Sequence, residues 1–444
     1  MRVLIITHDL VAERMAGPAI RCWELATQLS RACEVTLTSK LPVSRESANF
    51  RVLTFNRNGA TLLAQAAEAD VLIVQGWMLD DYPALAKLGK YLVVDLYDPF
   101  VFESYPHFEA QGAHRDEAYR QFVRVMDGQM RLGDYFICAN ERQRDMWLGR
   151  FCALARLTPE LFAQDASMNR LIGLVPFGLP DTEPLAPQPV MRGVVPGIEQ
   201  DDFIMLWGGG VWNWFDPLSV IRAVAELSEV RSDIKLFFMG TQHPNPEIPE
   251  MAMTNQAVAL AESLGVLGRS VFFNHGWVSY DDRQAYLAEA DVGISAHFDS
   301  IETRFSFRTR VLDYLWAGLP ILTTCGDGMA ELVAREDLGE VVPYQDVDGW
   351  KQAILRVVDD PARADTLKAR VLKAREGFRW SVVAQPLLEY CQQPYRTPRL
   401  DMPVTSRRMP SILSKSLQVV RREGVMPFLR KGVRFIGRNL GGAR

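Results

Sequence analysis

Residues 299–325, DSIETRFSFRTRVLDYLWAGLPILTTC, constrain the fold more than any other stretch of the chain. Val311, Leu312, Leu315 and Trp316 recur at i, i+1, i+4 and i+5, an apolar helical stripe. Gly318 stands where a C′ stop belongs, and Pro320 bars further helix. Ile321 to Thr324 is short, apolar and β-branched, the pattern of a buried strand. On the opposite helical face, Ser306, Arg310 and Asp313 fall at i, i+4 and i+7. A hydroxyl and a cation near a helix start, with a carboxylate one turn further in, suit a ligand with phosphates at one end and a sugar beyond. The same spacing equally describes an ordinary Arg310–Asp313 surface ion pair, worth about 0.2–0.5 kcal/mol.

A chain of 444 residues exceeds the size at which one core keeps growing, so two domains are expected. In the first half, short apolar runs alternate with helical patterns, the mark of a doubly wound parallel sheet. Strands are predicted at Val3–Thr7, Val35–Thr38, Arg51–Phe55, Val71–Gln75, Leu92–Asp95 and Tyr135–Cys138. The stretch 181–202 is a linker, with Pro184, Pro187, Pro189 and Pro196 and no period. The alternation then restarts, with strands at Phe203–Trp207, Ile234–Met239, Val271–Asn274, Val292–Ser295 and Ile321–Thr324. The organisation expected is α/β: two doubly wound Rossmann-like domains (1–180 and 203–379) facing a cleft. A return helix (380–393) and a basic amphipathic tail (394–444) follow.

Ligands on such sheets bind outside the carboxyl ends of the strands, so the loops there are the candidates. After the first strand, Gly17 and Pro18 open a helix whose amides can approach an oxygen-rich ligand, although plain turn chemistry explains them as well. No G-x-G-x-x-G dinucleotide fingerprint is present there. Asp95 and Asp98 sit just past a strand end, as acceptor-hydroxyl ligands or as Asx turn formers. In the second half, Gly208, Gly209 and Gly210 follow a strand and precede a helix with Pro217 in its first turn, a phosphate-cradling arrangement. Asp346 and Asp348 form an Asp-x-Asp directly before a helix and read as an N-cap, so no metal site is expected. The six cysteines are scattered, which fits reduced thiols and neither a disulfide framework nor a zinc site.

The segment RVLDYLWAGLPIL resembles the helix–strand signature of GT-B glycosyltransferases, especially glycosyltransferase family four. The resemblance runs over nearly all of residues 1–392 and is strongest from 203 to 333. It implies that Asp313, five residues before the Gly-x-Pro, contacts the donor ribose, with Asp in place of the usual Glu. The family's other acidic position, eight residues upstream, is Phe305, and Glu302 lies eleven upstream. The Gly-rich loop lacks the family's Arg and Lys, which throws the diphosphate charge onto Arg304, Arg308 or Arg310. The resemblance implies a base-holding loop at Trp277 and Val278 and a donor-sugar loop at Asp327, where core packing and helix capping are the plain alternatives. The catalytic set so expected is Glu302, Arg308 and Arg310; the donor side comprises Gly209, Gly210, Trp277, Val278, Ser306, Asp313 and Asp327; the acceptor side comprises Gly17, Pro18, Asp95 and Asp98. The implied activity is retaining, metal-independent transfer from a nucleotide-sugar, itself a substrate, with no cofactor. A sugar-nucleotide epimerase or hydrolase, or a non-catalytic sugar-binding relative, is the alternative on the same fold.

From Pro394 to Arg444 there are 12 Lys and Arg against 2 Asp and Glu, while the rest of the chain carries 37 against 52. An acidic body argues against nucleic acid as its ligand. The tail repeats Val425, Phe428, Leu429, Val433, Ile436 and Leu440 beside Arg421, Arg422, Arg430, Lys431, Arg434 and Arg438. That pattern suits an anionic membrane surface or docking onto the body. No apolar run approaches the ~18 residues of a membrane span, and MRVLIITHDL reads as a first strand and not a signal peptide. A cytoplasmic protein, peripheral at the inner face of the membrane, is therefore expected, with a carbohydrate or lipid-linked acceptor.

Overall fold

Two parallel sheets of the same winding organise the chain, in a computed structural model that describes residues 1–185, 188–242 and 251–400. The first comprises β1 (Arg2–Thr7), β2 (Glu34–Ser39), β3 (Arg51–Thr54), β4 (Val71–Gln75), β5 (Tyr91–Asp95), β6 (Tyr135–Cys138) and β7 (Ile172–Leu174). Its order is β3-β2-β1-β4-β5-β6-β7. The second comprises β8 (Phe203–Trp207), β9 (Ile234–Phe238), β10 (Val271–Phe273), β11 (Val292–Ser295), β12 (Ile321–Thr324) and β13 (Gly339–Val342). Its order is β10-β9-β8-β11-β12-β13. In each sheet the order of strands switches to the other side of the first strand, between β1 and β4 and between β8 and β11, while all strands run parallel. Such a switch point opens a crevice at the carboxyl ends of the strands.

The apolar runs become strands because both faces are covered: β4 and β12 are buried along their whole length. Strands β7 and β13 go beyond the sequence expectation. Each is three or four residues long and carries a glycine, too little pattern to register as a strand.

The helix of the signature stretch spans Thr309–Ala317 and buries Val311, Leu312, Tyr314, Leu315 and Trp316. Gly318 ends it at φ +74°, in the left-handed region that favours glycine, and a Cβ there would lie 2.8 Å from Leu372. Buried Tyr314 ties this helix to the second sheet: its hydroxyl accepts the Gly208 N–H at 2.8 Å and lies 2.7 Å from the Ile294 carbonyl.

The linker does not hang free. The backbone N–H groups of Met191 and Arg192 bond the Glu289 carboxylate, Arg192 pairs with Asp291 at 2.7 Å, and Met191 and Ile198 are fully buried. After the second sheet, Trp380 packs on Phe177 at 5.3 Å and Tyr390 stacks on Tyr135 at 4.4 Å, so the chain returns to the first sheet. The amphipathic pattern expected from Arg421 to Arg438 lies outside the described residues.

Candidate functional site

A cavity of about 390 Å³ lies between the carboxyl edges of the two sheets. The first sheet's loops contribute Asp9, Gly17, Pro18, Asp98 and Glu103; the second's contribute Gly208–Gly210, Trp277, Val278, Arg308, Arg310 and Asp313. Gly209 takes φ +74° in the turn after β8, and the Gly210 carbonyl accepts from Arg310 Nη2 at 2.8 Å. Trp212 and Trp214 also line the wall, their rings parallel with centroids 5.3 Å apart. Beyond them Asp216 caps the next helix, accepting the Ser219 N–H at 3.1 Å.

The two arginines differ in how they are held. Arg308 gives Nη1 and Nη2 to the two oxygens of Glu302, each at 2.9 Å, with Asp327 a further 3.6 Å from its Nε. Arg310 forms no ion pair among the described residues. Its guanidinium lies 4.1 Å from the Phe215 ring centroid and 4.6 Å from that of Trp207, and its buried Nη1 has no hydrogen-bond partner. Burial, with the charge of Arg308 adding, pulls its pKa down to about 10. A buried cation left without an anion is costly unless a ligand supplies one.

Several expectations need correction. Ser306 is not on the signature helix: a separate short helix, Ile301–Phe305, ends at Ser306, and the chain is non-helical until Thr309. The Ser306–Arg310–Asp313 face therefore does not exist as such. The Ser306 hydroxyl instead lies 2.7 Å from the Glu302 carbonyl and hydrogen-bonds the Glu302 carboxylate, although the residue still touches the cavity. Arg310 and Asp313 form no surface pair, because Asp313 accepts from Arg283 Nε at 3.0 Å. Glu302 is buried behind Arg308 and stays out of the cavity lining, so it positions the arginine. Asp327 is wholly buried as the N-cap of Gly328–Glu336, bonding the N–H groups of Met329 and Ala330, and is likewise off the wall. Behind Arg308, burial and that arginine's charge keep His297, 3.3 Å from Asp327, neutral, at about 2.

On the first domain, Asp95 also leaves the site. It is buried beneath the helix Gly17–Leu29 in a two-bond pair with Arg21, at 2.6 and 3.0 Å. Asp98 does line the cavity, and sequence reasoning missed its neighbour Glu103, on the short helix Phe100–Glu103. Burial lifts Asp98 to about 7, and burial with the charges of Asp98 and Glu302 lifts Glu103 well above the carboxylate range. Arg283 was missed as well, for its partner lies thirty residues away in sequence.

The two sheets are joined across the cleft by direct bonds. The Trp277 indole N–H donates to the Met15 carbonyl at 3.2 Å, and Tyr280 bonds Glu24 at 3.0 Å. Asn140 and Gln143 donate to the carbonyls of Ser306 and Phe305, at 3.3 and 2.9 Å. Among the described residues no cluster of three or more His, Cys, Asp or Glu is arranged to hold a metal ion. Asp346 caps its helix by accepting the Gly349 N–H at 2.8 Å.

A cleft with a Gly-rich loop, an unpaired buried arginine and a carboxylate one turn into the following helix can be compared with known proteins. Residues 204–360 match the family model described as glycosyl transferases group 1. Along 88% of this chain the structure superposes on all of WaaG, a glycosyltransferase involved in lipopolysaccharide biosynthesis, with TM-score 0.62 and 17% identity. The fold is the GT-B glycosyltransferase fold. Alr3699/HepE of Anabaena, in complex with UDP-glucose, has TM-score 0.61 at 14% identity, over 88% of this chain and 99% of that one. Among curated relatives, the D-inositol 3-phosphate glycosyltransferase of Rhodococcus opacus (strain B4) is 24% identical over 197 residues, 44% of this chain and 41% of that protein. One from Catenulispora acidiphila is 25% identical over 194 residues, 43% and 44% of the respective chains. The matched stretch thus spans less than half the length of these curated relatives.

Proposed function

We propose that this chain is a retaining glycosyltransferase that moves a sugar from a nucleoside diphosphate-sugar to an acceptor hydroxyl, in glycan or glycolipid biosynthesis. The observation that carries the reading is Arg310, a buried cation on the cavity wall, beside the Gly208–Gly210 loop, with no carboxylate paired to it among the described residues. A donor diphosphate supplies the missing anion. The resemblance to group 1 transferases, and the UDP-glucose held by the Anabaena protein of the same fold, support a nucleotide-sugar as the ligand.

The reaction breaks the bond between the anomeric carbon and the diphosphate oxygen and forms one to the acceptor oxygen. In the front-face route that the family resemblance implies, the acceptor proton passes to the departing phosphate oxygen. Arg308, fixed by Glu302, and Arg310 then face the charge that develops on the leaving diphosphate, as preorganised electrostatic stabilisers. Asp313 keeps one carboxylate oxygen beyond its bond to Arg283 and meets the ribose hydroxyls. Gly209 and Gly210 lie against the phosphates, and Trp277 and Val278 against the base. Because the arginines bring the charge a metal ion would otherwise supply, transfer proceeds without one.

The test is release of nucleoside diphosphate from a panel of UDP- and GDP-sugars in EDTA, with and without sugar acceptors. Acceptor-dependent release supports the transferase. Equal release without acceptor points to a hydrolase, and nucleotide binding with no turnover points to a sugar-binding relative. A strict need for Mg²⁺ or Mn²⁺ overturns the metal-independent site.

Among the described residues no helix is long and apolar enough to cross a membrane. We place the protein in the cytoplasm, with the basic residues of 394–444 attaching it to an anionic leaflet, where each cation near the surface contributes about 1 kcal/mol. Salt-sensitive co-sedimentation of the full chain with anionic vesicles tests this. A chain that stays in the supernatant at low salt refutes it.

A further inference from the structure

The two walls of the cleft differ in their ionisable groups, carboxyl groups on one and arginines on the other. Every arginine lining the cavity, Arg283, Arg308 and Arg310, belongs to the second domain. Among the described residues the first domain contributes Asp9, Asp98 and Glu103 and no Lys or Arg. Its nearest buried cation, Arg21, is engaged by Asp95 and by the carbonyls of Val175 and Pro176. On the facing wall, Arg308 and Arg283 are already paired with Glu302 and Asp313. Of the three, Arg310, 8% exposed, has no ion-pair partner and an unpartnered Nη1 among the described residues, and its place beside the Gly-rich loop assigns the missing anion to the donor.

Once the donor is bound, the half of the cavity left for the acceptor is walled by carboxyl groups. Glu103 makes no side-chain hydrogen bond among the described residues, and Asp98 lines the same wall, close enough for its charge to raise Glu103. A phosphate or carboxylate seated there would meet Asp98, partly ionised near neutrality, while the cation nearest Glu103 among the described residues, Arg308, is already paired with Glu302, so an anion there costs affinity. Hydroxyl groups suit the same wall, since they donate to an ionised carboxylate and accept from a protonated one. Met15, Ile20 and Phe177 line the remainder of that half and offer apolar surface to the ring of a sugar.

We propose that the acceptor is an uncharged polyol, a sugar or glycan terminus bearing no phosphate or carboxylate on the reacting residue, held through its hydroxyls by Asp98 and Glu103. The assignment rests on the glycosyl-transfer reading and goes beyond it by fixing the acceptor's charge class. It also makes Asp98 and Glu103 the residues that select against anionic sugars.

The experiment titrates the full chain, saturated with UDP so that the donor half is filled, with neutral methyl pyranosides and with the 6-phosphates of the same sugars. The neutral sugars are expected to bind at least about ten-fold more tightly, the separation that one unfavourable charge contact commonly produces. The Asp98→Asn/Glu103→Gln variant is expected to lose most of that preference by gaining affinity for the sugar phosphates. Glu103→Gln alone carries the test if the double variant folds poorly. Tighter binding of the 6-phosphates by the wild type, or a preference unchanged in the variant, overturns the proposal. UDP affinity is read in the same titrations. Failure to bind any nucleoside diphosphate defeats the transferase reading and this assignment with it. UDP binding beside a phosphate-preferring site defeats the acceptor assignment alone.

Discussion

Glu302 bonds both terminal nitrogens of Arg308 at 2.9 Å yet does not line the cleft that Arg308 faces. A carboxylate bonded to both terminal nitrogens offsets part of the cation's charge and turns a flexible side chain into a directed one. Glu302→Ala leaves buried Arg308 with only the longer Asp327 contact at 3.6 Å and its bond to Thr303, and the loss of one partner from such a pair typically costs about 3–5 kcal/mol. The thermal midpoint should fall clearly, and kcat should drop about 10²–10³-fold as the leaving-group contact is misplaced. A variant with wild-type melting and kcat would remove Glu302 from the positioning role.

Arg310 should behave in the opposite sense. Arg310→Met removes an unpaired buried charge and keeps much of the volume over Phe215, so the ligand-free protein should melt no lower than the wild type. Nucleoside diphosphate binding should weaken by about 1.5–3 kcal/mol, the usual worth of a hydrogen bond to a charged group. Calorimetry with UDP and GDP, beside a melting curve, checks both. Undiminished nucleotide affinity would exclude Arg310 as the diphosphate contact.

Asp313→Ala should cost about 1.5–3 kcal/mol in nucleotide binding through the lost ribose contact. Because Asp313 also holds Arg283, the variant frees that guanidinium beside Tyr280, whose ring lies 3.7 Å beneath it. Comparing a ribonucleotide with its 2′-deoxy form separates the two effects. If both nucleotides lose affinity equally, the carboxylate acts through Arg283 and not on the ribose.

Asp98 sets a pH dependence. Its folded pKa is raised to about 7, chiefly by burial, so between the ordinary carboxylate range and neutrality the folded chain keeps a proton that the unfolded chain has released. Stability contributed by this group is therefore full at low pH and is lost as pH rises through about 7, with a slope of at most about 1.4 kcal/mol per pH unit. Asp98→Asn should lack that loss, so the wild type should lose ground to the variant between pH 5 and pH 8 in thermal melts. Parallel profiles would show that Asp98 does not titrate in this window.

Much of this was legible in the sequence. Val71–Gln75 and Ile321–Thr324 are strands at the residues their apolar runs mark, because burial on both faces leaves no room for another pattern. Gly318 announces the helix end that its positive φ then forms. Legibility failed where geometry depends on partners distant in sequence. Ser306, Arg310 and Asp313 stay in helical phase on paper across three residues that are not helical in the fold, and periodicity cannot see such a break. Arg283 and Asp313 come together from different helices, and Asp95 turned inward because Arg21, seventy-four residues away, lies above it. Glu103 belongs to a loop whose position after β5 marked it for interest, yet nothing in a run of aromatic neighbours singles out one carboxylate.

The bonds from Asn140 and Gln143 reach the backbone of residues 305 and 306, immediately before Arg308. The first domain thus grips the strand of chain that aims the second domain's arginine. Drawing the two sheets apart has to break that grip and the Trp277–Met15 bond together. On the proposed transfer reading, Arg308 is held in place only while the two sheets are together, which would guard a bound donor against being spent on water.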